Sequence, residues 1–308
     1  MMIVVTGGAG YVGTVLVPEL LRAGHAVCVL DCLRYGGQPL LPMFQYPRFS
    51  FVLGDVRDPA TAAECLAGAD AVVHLAAIVG YPACIRYPDL ARATNVGGTK
   101  NVVEALSDDQ ALVYASTGSN YGRITGVCDE NSPLNPVSLY AVTKTEGEQI
   151  ALTAPRGTAL RFGTAFGVSP RMRLDLLIND FVHRAMVDQQ LIVYEEHFRR
   201  TLIHVRDMAR GILFALEHID RMRGQAYNVG NESLNLTKRQ IAEHIRRHLT
   251  FYLHFADVGH DADARDYEVS YKKVHQLGFE TAVTLDEGIQ ELIRAMPVLN
   301  MTSPYTNL

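Results

Sequence analysis

The sequence predicts an α/β fold, a doubly wound parallel sheet joined to a smaller, mixed α/β C-terminal unit. Three observations carry this. In the first half of the 308-residue chain, short apolar runs alternate with longer segments of helical period. Those runs are apolar at successive positions, as strands covered on both faces are. After Phe162 the strict alternation ends.

In order, strands are expected at Ile3–Thr6, Ala26–Leu30, Phe51–Leu53, Ala71–Leu75, Ala111–Ala115 and Thr158–Phe162. Helices are expected between them at Tyr11–Ala23, Pro59–Leu66, Pro88–Leu106 and Val137–Ala154, each a right-handed crossover. Further on come a helix at Leu174–Val187 and a strand at Leu191–Tyr194. Leu202–Val205 reads as a further sheet strand, followed by a helix at Arg206–His218 and a strand at Ala226–Val229. Thr237-Lys238-Arg239-Gln240 and Thr284-Leu285-Asp286-Glu287 are capping boxes that open the last two helices. Residues 1–165 form the expected first domain, with 201–225 returning to it. Residues 166–200 and 226–308 form the expected second domain.

Composition narrows the function classes. The chain is 48% hydrophobic and 20% charged, a balance that excludes a disordered or fibrous protein. A net charge of −5 offers no electrostatic footprint for nucleic acid or an anionic membrane. No apolar run approaches the ~18 residues of a membrane span. Five scattered cysteines without C-x-x-C spacing fit a reducing compartment, so a cytoplasmic location is expected.

The strongest motif follows the first strand: Thr6-Gly7-Gly8-Ala9-Gly10-Tyr11-Val12-Gly13. Gly7 permits a tight turn, Gly10 lets a pyrophosphate approach the backbone, and Gly13 lets helix and strand pack closely. Tyr11 and Val12 complete the turn. Asp31, 24 residues after Gly7 and at the end of the next strand, is placed to accept the hydroxyls of an adenosine ribose. Cys32 and Leu33 flank it, and Asp55-Val56 after the third strand border the adenine. A carboxylate at this place favours NAD over NADP; Arg34 reads either as a solvated loop charge or as a partner for a ribose phosphate.

Tyr140 and Lys144 stand at i and i+4, one above the other on a helix face. A free phenol titrates near ~10, and a neighbouring ammonium favours its ionised form. Tyr140 can then take a proton from a substrate hydroxyl. Ser116 and Thr117 end the fifth strand, at the sheet edge where open α/β folds bind ligands.

Together these residues resemble the extended short-chain dehydrogenase/reductase family, in particular its nucleotide-sugar epimerases and dehydratases. The resemblance also rests on His74-Leu75-Ala76-Ala77, Asn95-Val96-Gly97-Gly98-Thr99, Tyr121-Gly122 and Tyr227-Asn228-Val229-Gly230, and it covers nearly the whole chain. It implies a Rossmann domain holding NAD and a smaller nucleotide-sugar domain. It implies that Leu75, Ala76 and Ala77 line the cofactor, with Asn95 supporting them, and that Tyr140, Lys144 and Thr117 form the catalytic set. It implies that Asn179, Arg200 and Arg265 hold the diphosphate of a sugar nucleotide, and that the chain is a homodimer through the helices near Pro88–Leu106 and Val137–Ala154.

Two departures bear on the reaction. Dehydratases of this family carry an Asp-Glu pair after the catalytic Thr, whereas Gly118-Ser119 stands here. Without a carboxylate beside the sugar, water elimination lacks its acid and base. Thr164 occupies a place often held by a substrate-contacting Asn. The expectation is an NAD-dependent 4-epimerase acting on a nucleotide-diphosphate sugar. A reductase or dehydrogenase, a 4,6-dehydratase and a non-catalytic dinucleotide sensor stand as alternatives. His244 and His248, at metal-ligand spacing, read as an exposed helix face, and no metal is expected.

Overall fold

The computed structural model describes residues 1–256, 266–299 and 305–307. The strands of the first half are β1 (Met2–Thr6), β2 (Ala26–Asp31), β3 (Phe49–Leu53), β4 (Ala71–His74), β5 (Ala111–Thr117), β6 (Arg123–Cys128) and β7 (Gly157–Phe162). Those of the second are β8 (Thr164–Phe166), β9 (Gln190–Tyr194), β10 (Arg199–His204), β11 (Ala226–Val229), β12 (Asn235–Thr237), β13 (Tyr252–Ala256) and β14 (Asp266–Val269).

Seven strands form one parallel sheet in the order β11-β7-β5-β4-β1-β2-β3. Successive side chains of a strand point to opposite faces, and both faces here are covered. Ile3 and Val5 pack with Leu16, Leu20 and Ile212, whereas Val4 packs with Val102 and Ala151. The helices Gly13–Arg22 and Val205–Glu217 therefore shield one face, and Thr99–Glu104 and Leu139–Ala151 the other. This double cover is why β1 reads as an unbroken apolar run. The strand order reverses between β1 and β4, which opens a crevice at the carboxyl ends of those strands.

A second core gathers Phe166, Ile178, Phe181, Leu202, Ile241, Ile289 and Leu292. It lies among a three-stranded sheet, β12-β10-β8, and the helices Leu177–Val187, Lys238–Arg246 and Leu285–Ala295. Both expected capping boxes form: Thr237 with Gln240, and Thr284 with Glu287.

Three expectations are corrected. Leu202–Val205 does not extend the large sheet. Its strand, β10, pairs in parallel with β8 and antiparallel with β12. The return to the large sheet is made instead by the helix Val205–Glu217, which packs on Gly13–Arg22 and delivers Ala226–Val229 beside β7. Ala226–Val229, expected in the second domain, is thus the edge strand of the first sheet. The expected single helix Pro88–Leu106 is divided into Pro88–Arg92, a π-helical turn Ala93–Gly98, and Thr99–Glu104. The wide turn falls where the Asn95 side chain bonds a neighbouring loop and where Gly98 packs against Val56 with no room for a Cβ. Among the described residues, no helix is long and apolar enough to cross a membrane.

Candidate active site

A cleft of about 540 Å³ opens at the switch point of the sheet and runs from the β2 end to the β5 and β7 ends. Gly7, Gly10, Tyr11, Val12 and Gly13 form its floor. Gly7 has φ +71°, and a Cβ there would stand 2.6 Å from the Ala76 backbone nitrogen. A Cβ on Gly13 would stand 2.5 Å from Gly8 Cα. The turn is therefore a cradle stripped of side chains, with the first turn of the following helix pointing into it.

Asp31 lies in the cleft wall with Cys32, Asp55 and Val56. Its carboxylate accepts from the Ala9 N–H (3.0 Å) and the Leu33 N–H (2.8 Å), while burial pushes its pKa up. Leu33 contributes through its backbone. Its side chain packs toward Gly37 and does not line the cleft. Leu75, Ala76 and Ala77 form the opposite wall. Asn95, expected beside the cofactor, is buried behind that wall. It bonds both Ile78 backbone groups (N–H donating, 2.7 Å; carbonyl accepting, 3.0 Å) and the Thr143 hydroxyl (3.0 Å). It pins the wall to the helix that carries Tyr140.

That helix, Leu139–Ala151, begins at Ser138, whose hydroxyl accepts from the Ala141 N–H at 3.2 Å. Starting there, it directs Tyr140 and Lys144 into the cleft beside Thr117. Lys144 is 3% exposed, and its ammonium lies 4.0 Å from the centroid of the Tyr114 ring. Burial lowers its pKa to about 7, with Glu148 and Cys84 pulling the other way. The Thr117 hydroxyl accepts from the Ser119 N–H and donates to the Ser119 hydroxyl, both at 3.1 Å, which fixes its direction.

Ser116, beside Thr117 at the end of β5, has a buried partner. It borders the cleft, but its hydroxyl donates to Glu148 at 2.5 Å. Glu148 is in turn clamped by Arg161 through bonds of 2.6, 3.0 and 3.1 Å, and Arg161 donates to the Tyr121 hydroxyl. Ser116 belongs to this buried ion-pair network beneath the catalytic helix.

The expected diphosphate residues are scattered. Thr164 lines the cleft. Asn179 is fully buried and uses its amide on Gly167 and on the Arg173 carbonyl. Arg200 is 4% exposed and does not line the cleft; one guanidinium nitrogen donates to the Arg199 carbonyl. Among the described residues neither lines the cleft. Arg265 lies outside the described residues. Arg34, exposed and stacked 4.7 Å over the Tyr87 ring, stands at the cleft edge.

Several site residues escape a sequence reading. Arg171, Arg173, Tyr35 and Asn307 all line the cleft. No local pattern marks them, since they come from three separate segments. Glu148 could have been found: with Tyr140 and Lys144 it continues a four-residue spacing down one helix face. Cys84 is fully buried against the Ile78 carbonyl, and burial pushes its thiol up to about 11. His244 and His248 both converge on Asp286, at 3.3 and 2.8 Å.

The cradle, the helix N-terminus and the Asp31 carboxylate suit a dinucleotide, with the glycines bare where a pyrophosphate must approach and the carboxylate facing ribose hydroxyls. Tyr140, Lys144 and Thr117 add a proton acceptor, a cation and a hydroxyl at the other end of the same cleft. Comparison with known proteins agrees. Residues 3–230 match the family model described as the NAD dependent epimerase/dehydratase family. The chain is 33% identical to a dTDP-glucose 4,6-dehydratase of Streptomyces niveus, over 95% of this chain and 92% of that one. It is 27% identical to a putative UDP-glucose 4-epimerase of Methanocaldococcus jannaschii, over 98% and 100%. The crystal structure of DesIV, a dTDP-glucose 4,6-dehydratase from Streptomyces venezuelae with NAD bound, superposes with a TM-score of 0.82 at 29% identity, covering 97% of this chain and 98% of that one. With its glycine cradle and its Tyr/Lys/Thr set in one cleft, the chain belongs to the NAD-dependent epimerase/dehydratase family.

Proposed function

We propose that the protein is a nucleotide-sugar epimerase that inverts C4 through a transient 4-keto sugar. One observation carries this choice within the family. Among the described residues lining the cleft, the carboxylates are Asp31 and Asp55, both beside the ends of β2 and β3. At the Thr117, Tyr140 and Lys144 end, the lining among the described residues holds none, and nearby Glu148 is buried in its pairing with Arg161. Gly118 holds the place of a dehydratase acid, and a Cβ there would lie 3.2 Å from the Tyr267 hydroxyl. Without a further acid and base at that end, loss of water has no catalyst, whereas epimerisation needs only the one proton acceptor and donor that Tyr140 supplies.

Bound NAD supplies the hydride acceptor and donor. Tyr140 takes the proton of the C4 hydroxyl and returns it after the keto sugar has turned. The buried ammonium of Lys144, one helical turn away, favours the phenolate over the phenol. Thr117 holds the sugar oxygen from the sheet edge. Depth helps each interaction, since a charge–dipole contact is stronger away from water.

The test is NMR of the protein with UDP-, GDP-, dTDP- and CDP-sugars in D₂O without added cofactor. A C4 isomer of unchanged mass, with no deuterium in the sugar, is expected. Replacing Tyr140 with Phe removes turnover and leaves NAD bound; full activity in that variant would refute the mechanism. A second reading, 4,6-dehydration, draws on the likeness to the Streptomyces niveus dehydratase. Loss of water with deuterium incorporated would establish it instead.

A further inference from the structure

The segment Tyr305–Asn307 reaches the cleft, which Asn307 lines. The Tyr305 carbonyl accepts from the Leu174 N–H at 2.7 Å, and the Thr306 carbonyl accepts from Arg171 Nη2 at 2.8 Å. The Asn307 carbonyl accepts from the Tyr35 hydroxyl at 3.1 Å. Leu174 and Arg171 come from the segment after β8; Tyr35 follows β2 of the large sheet. Three consecutive residues thus bond segments that come from far apart in the chain, and Asn307, 4% exposed, lines the cleft.

Arg171 is the centre of this arrangement. It is 7% exposed, lines the cleft, and is stacked 4.3 Å over the Tyr35 ring. Among the described residues no carboxylate pairs with it: its bonds go to the Thr306 carbonyl and, at 3.4 Å, to the Met172 carbonyl. A guanidinium buried beside a cleft without a counter-charge is a site for an anion. Its neighbours say which end of the cleft it serves. The Tyr11 hydroxyl donates to the Gly167 carbonyl at 2.7 Å, and the Ser169 hydroxyl donates to the Tyr11 carbonyl at 2.7 Å. The Arg171 N–H donates to the Thr14 hydroxyl at 3.4 Å. The segment 167–171 is therefore bolted to the glycine cradle itself, not to the Thr117 end where a sugar reacts.

We propose that Tyr305–Asn307 is a strap that closes over bound NAD, with Arg171, beside the first turn of the helix Gly13–Arg22, bonding the dinucleotide's diphosphate, so that the cofactor is retained between turnovers. Retention serves any reaction in which hydride must return to the molecule it left. The proposal rests on NAD occupying the cleft and is independent of which reaction follows.

The measurement is the release rate of radiolabelled NAD from loaded protein chased with excess unlabelled NAD, with no sugar nucleotide present. Deletion of residues 305–308 and Arg171→Met are each expected to speed release about tenfold or more, and Tyr35→Phe severalfold. Combining the deletion with Arg171→Met should add little, because both remove one latch. Should Arg171→Met not fold, the deletion and Tyr35→Phe decide. Unchanged release in the deletion variant overturns the strap. So does an Arg171→Met protein that holds NAD normally and loses only affinity for UDP-glucose or dTDP-glucose, which would assign the guanidinium to the substrate's diphosphate. Wild-type protein that binds no NAD overturns the strap together with the cofactor assignment.

Discussion

The Lys144 ammonium faces the Tyr114 ring at 4.0 Å, inside the protein and one helical turn from Glu148. A ring face stabilises the cation that burial disfavours. Lys144 is charged below about 7 and neutral above it in the cofactor-free protein. If the cation is needed to ionise Tyr140, kcat/KM falls on the alkaline side as Lys144 loses its proton. Tyr114→Leu removes the ring, lowers the Lys144 pKa further, and should move that limb to lower pH by ~0.4–1.5 units. Tyr114→Phe keeps the ring and should leave it in place. Equal shifts in both variants would show that the ring face does not matter.

Glu148 and Arg161 are 2% and 6% exposed and share three bonds. Removing one partner leaves a buried charge unpaired. Glu148→Gln should lower unfolding free energy by about 3–5 kcal/mol, and Glu148→Gln with Arg161→Met by less. Urea unfolding of the two proteins checks this. A double variant no more stable than the single one contradicts it.

Asn95 holds the Leu75–Ile78 wall through both Ile78 backbone groups. Asn95→Ala should cost about 1–3 kcal/mol of stability, because those buried groups lose their partner. It should also weaken NAD binding while leaving Tyr140 and Lys144 intact. Calorimetric titration with NAD reads the second effect, and unaltered affinity would mean that the wall keeps its shape without Asn95.

His74 is 1% exposed, bonded to the Thr6 hydroxyl at 2.6 Å and the Thr99 hydroxyl at 3.0 Å. Burial, with Lys144 nearby, lowers its pKa to about 3. Below pH ~6.5 the unfolded chain protonates this histidine and the folded chain does not. Acid therefore favours unfolding, and stability falls by up to ~1.4 kcal/mol per pH unit between those two values. Above pH ~6.5 the group contributes no slope. His74→Gln should flatten the difference between urea midpoints at pH 7.5 and 5.0, and an equal slope in the variant would place the acid sensitivity elsewhere.

Features whose cause lies within about a dozen residues were legible in the chain. The glycine turn, the β1 apolar run, the Tyr140/Lys144 pair and both capping boxes follow from periods and turn chemistry local to each segment. Asn95 stands behind the cleft wall, bonded to both Ile78 backbone groups. The surroundings of Asn179 and Arg200 were not legible, for the opposite reason. Residue type matched a role, but whether an amide or guanidinium reaches a cleft depends on groups far along the chain, such as the Gly167 backbone that occupies Asn179.

By itself the sequence determined the class of fold, the glycine cradle and the placing of Tyr140 and Lys144 on one helix face, because a strand, a tight turn and one face of a helix are set by neighbouring residues. Only the tertiary structure decided that Ala226–Val229 joins the large sheet, that Ser116 serves Glu148, and that Arg171, Tyr35 and Asn307 meet over the cleft. Those outcomes turn on pairings between segments 100 or more residues apart in the case of Arg171, Tyr35 and Asn307. Burial and hydrogen-bond satisfaction across the whole chain select such pairings, and no local period records them.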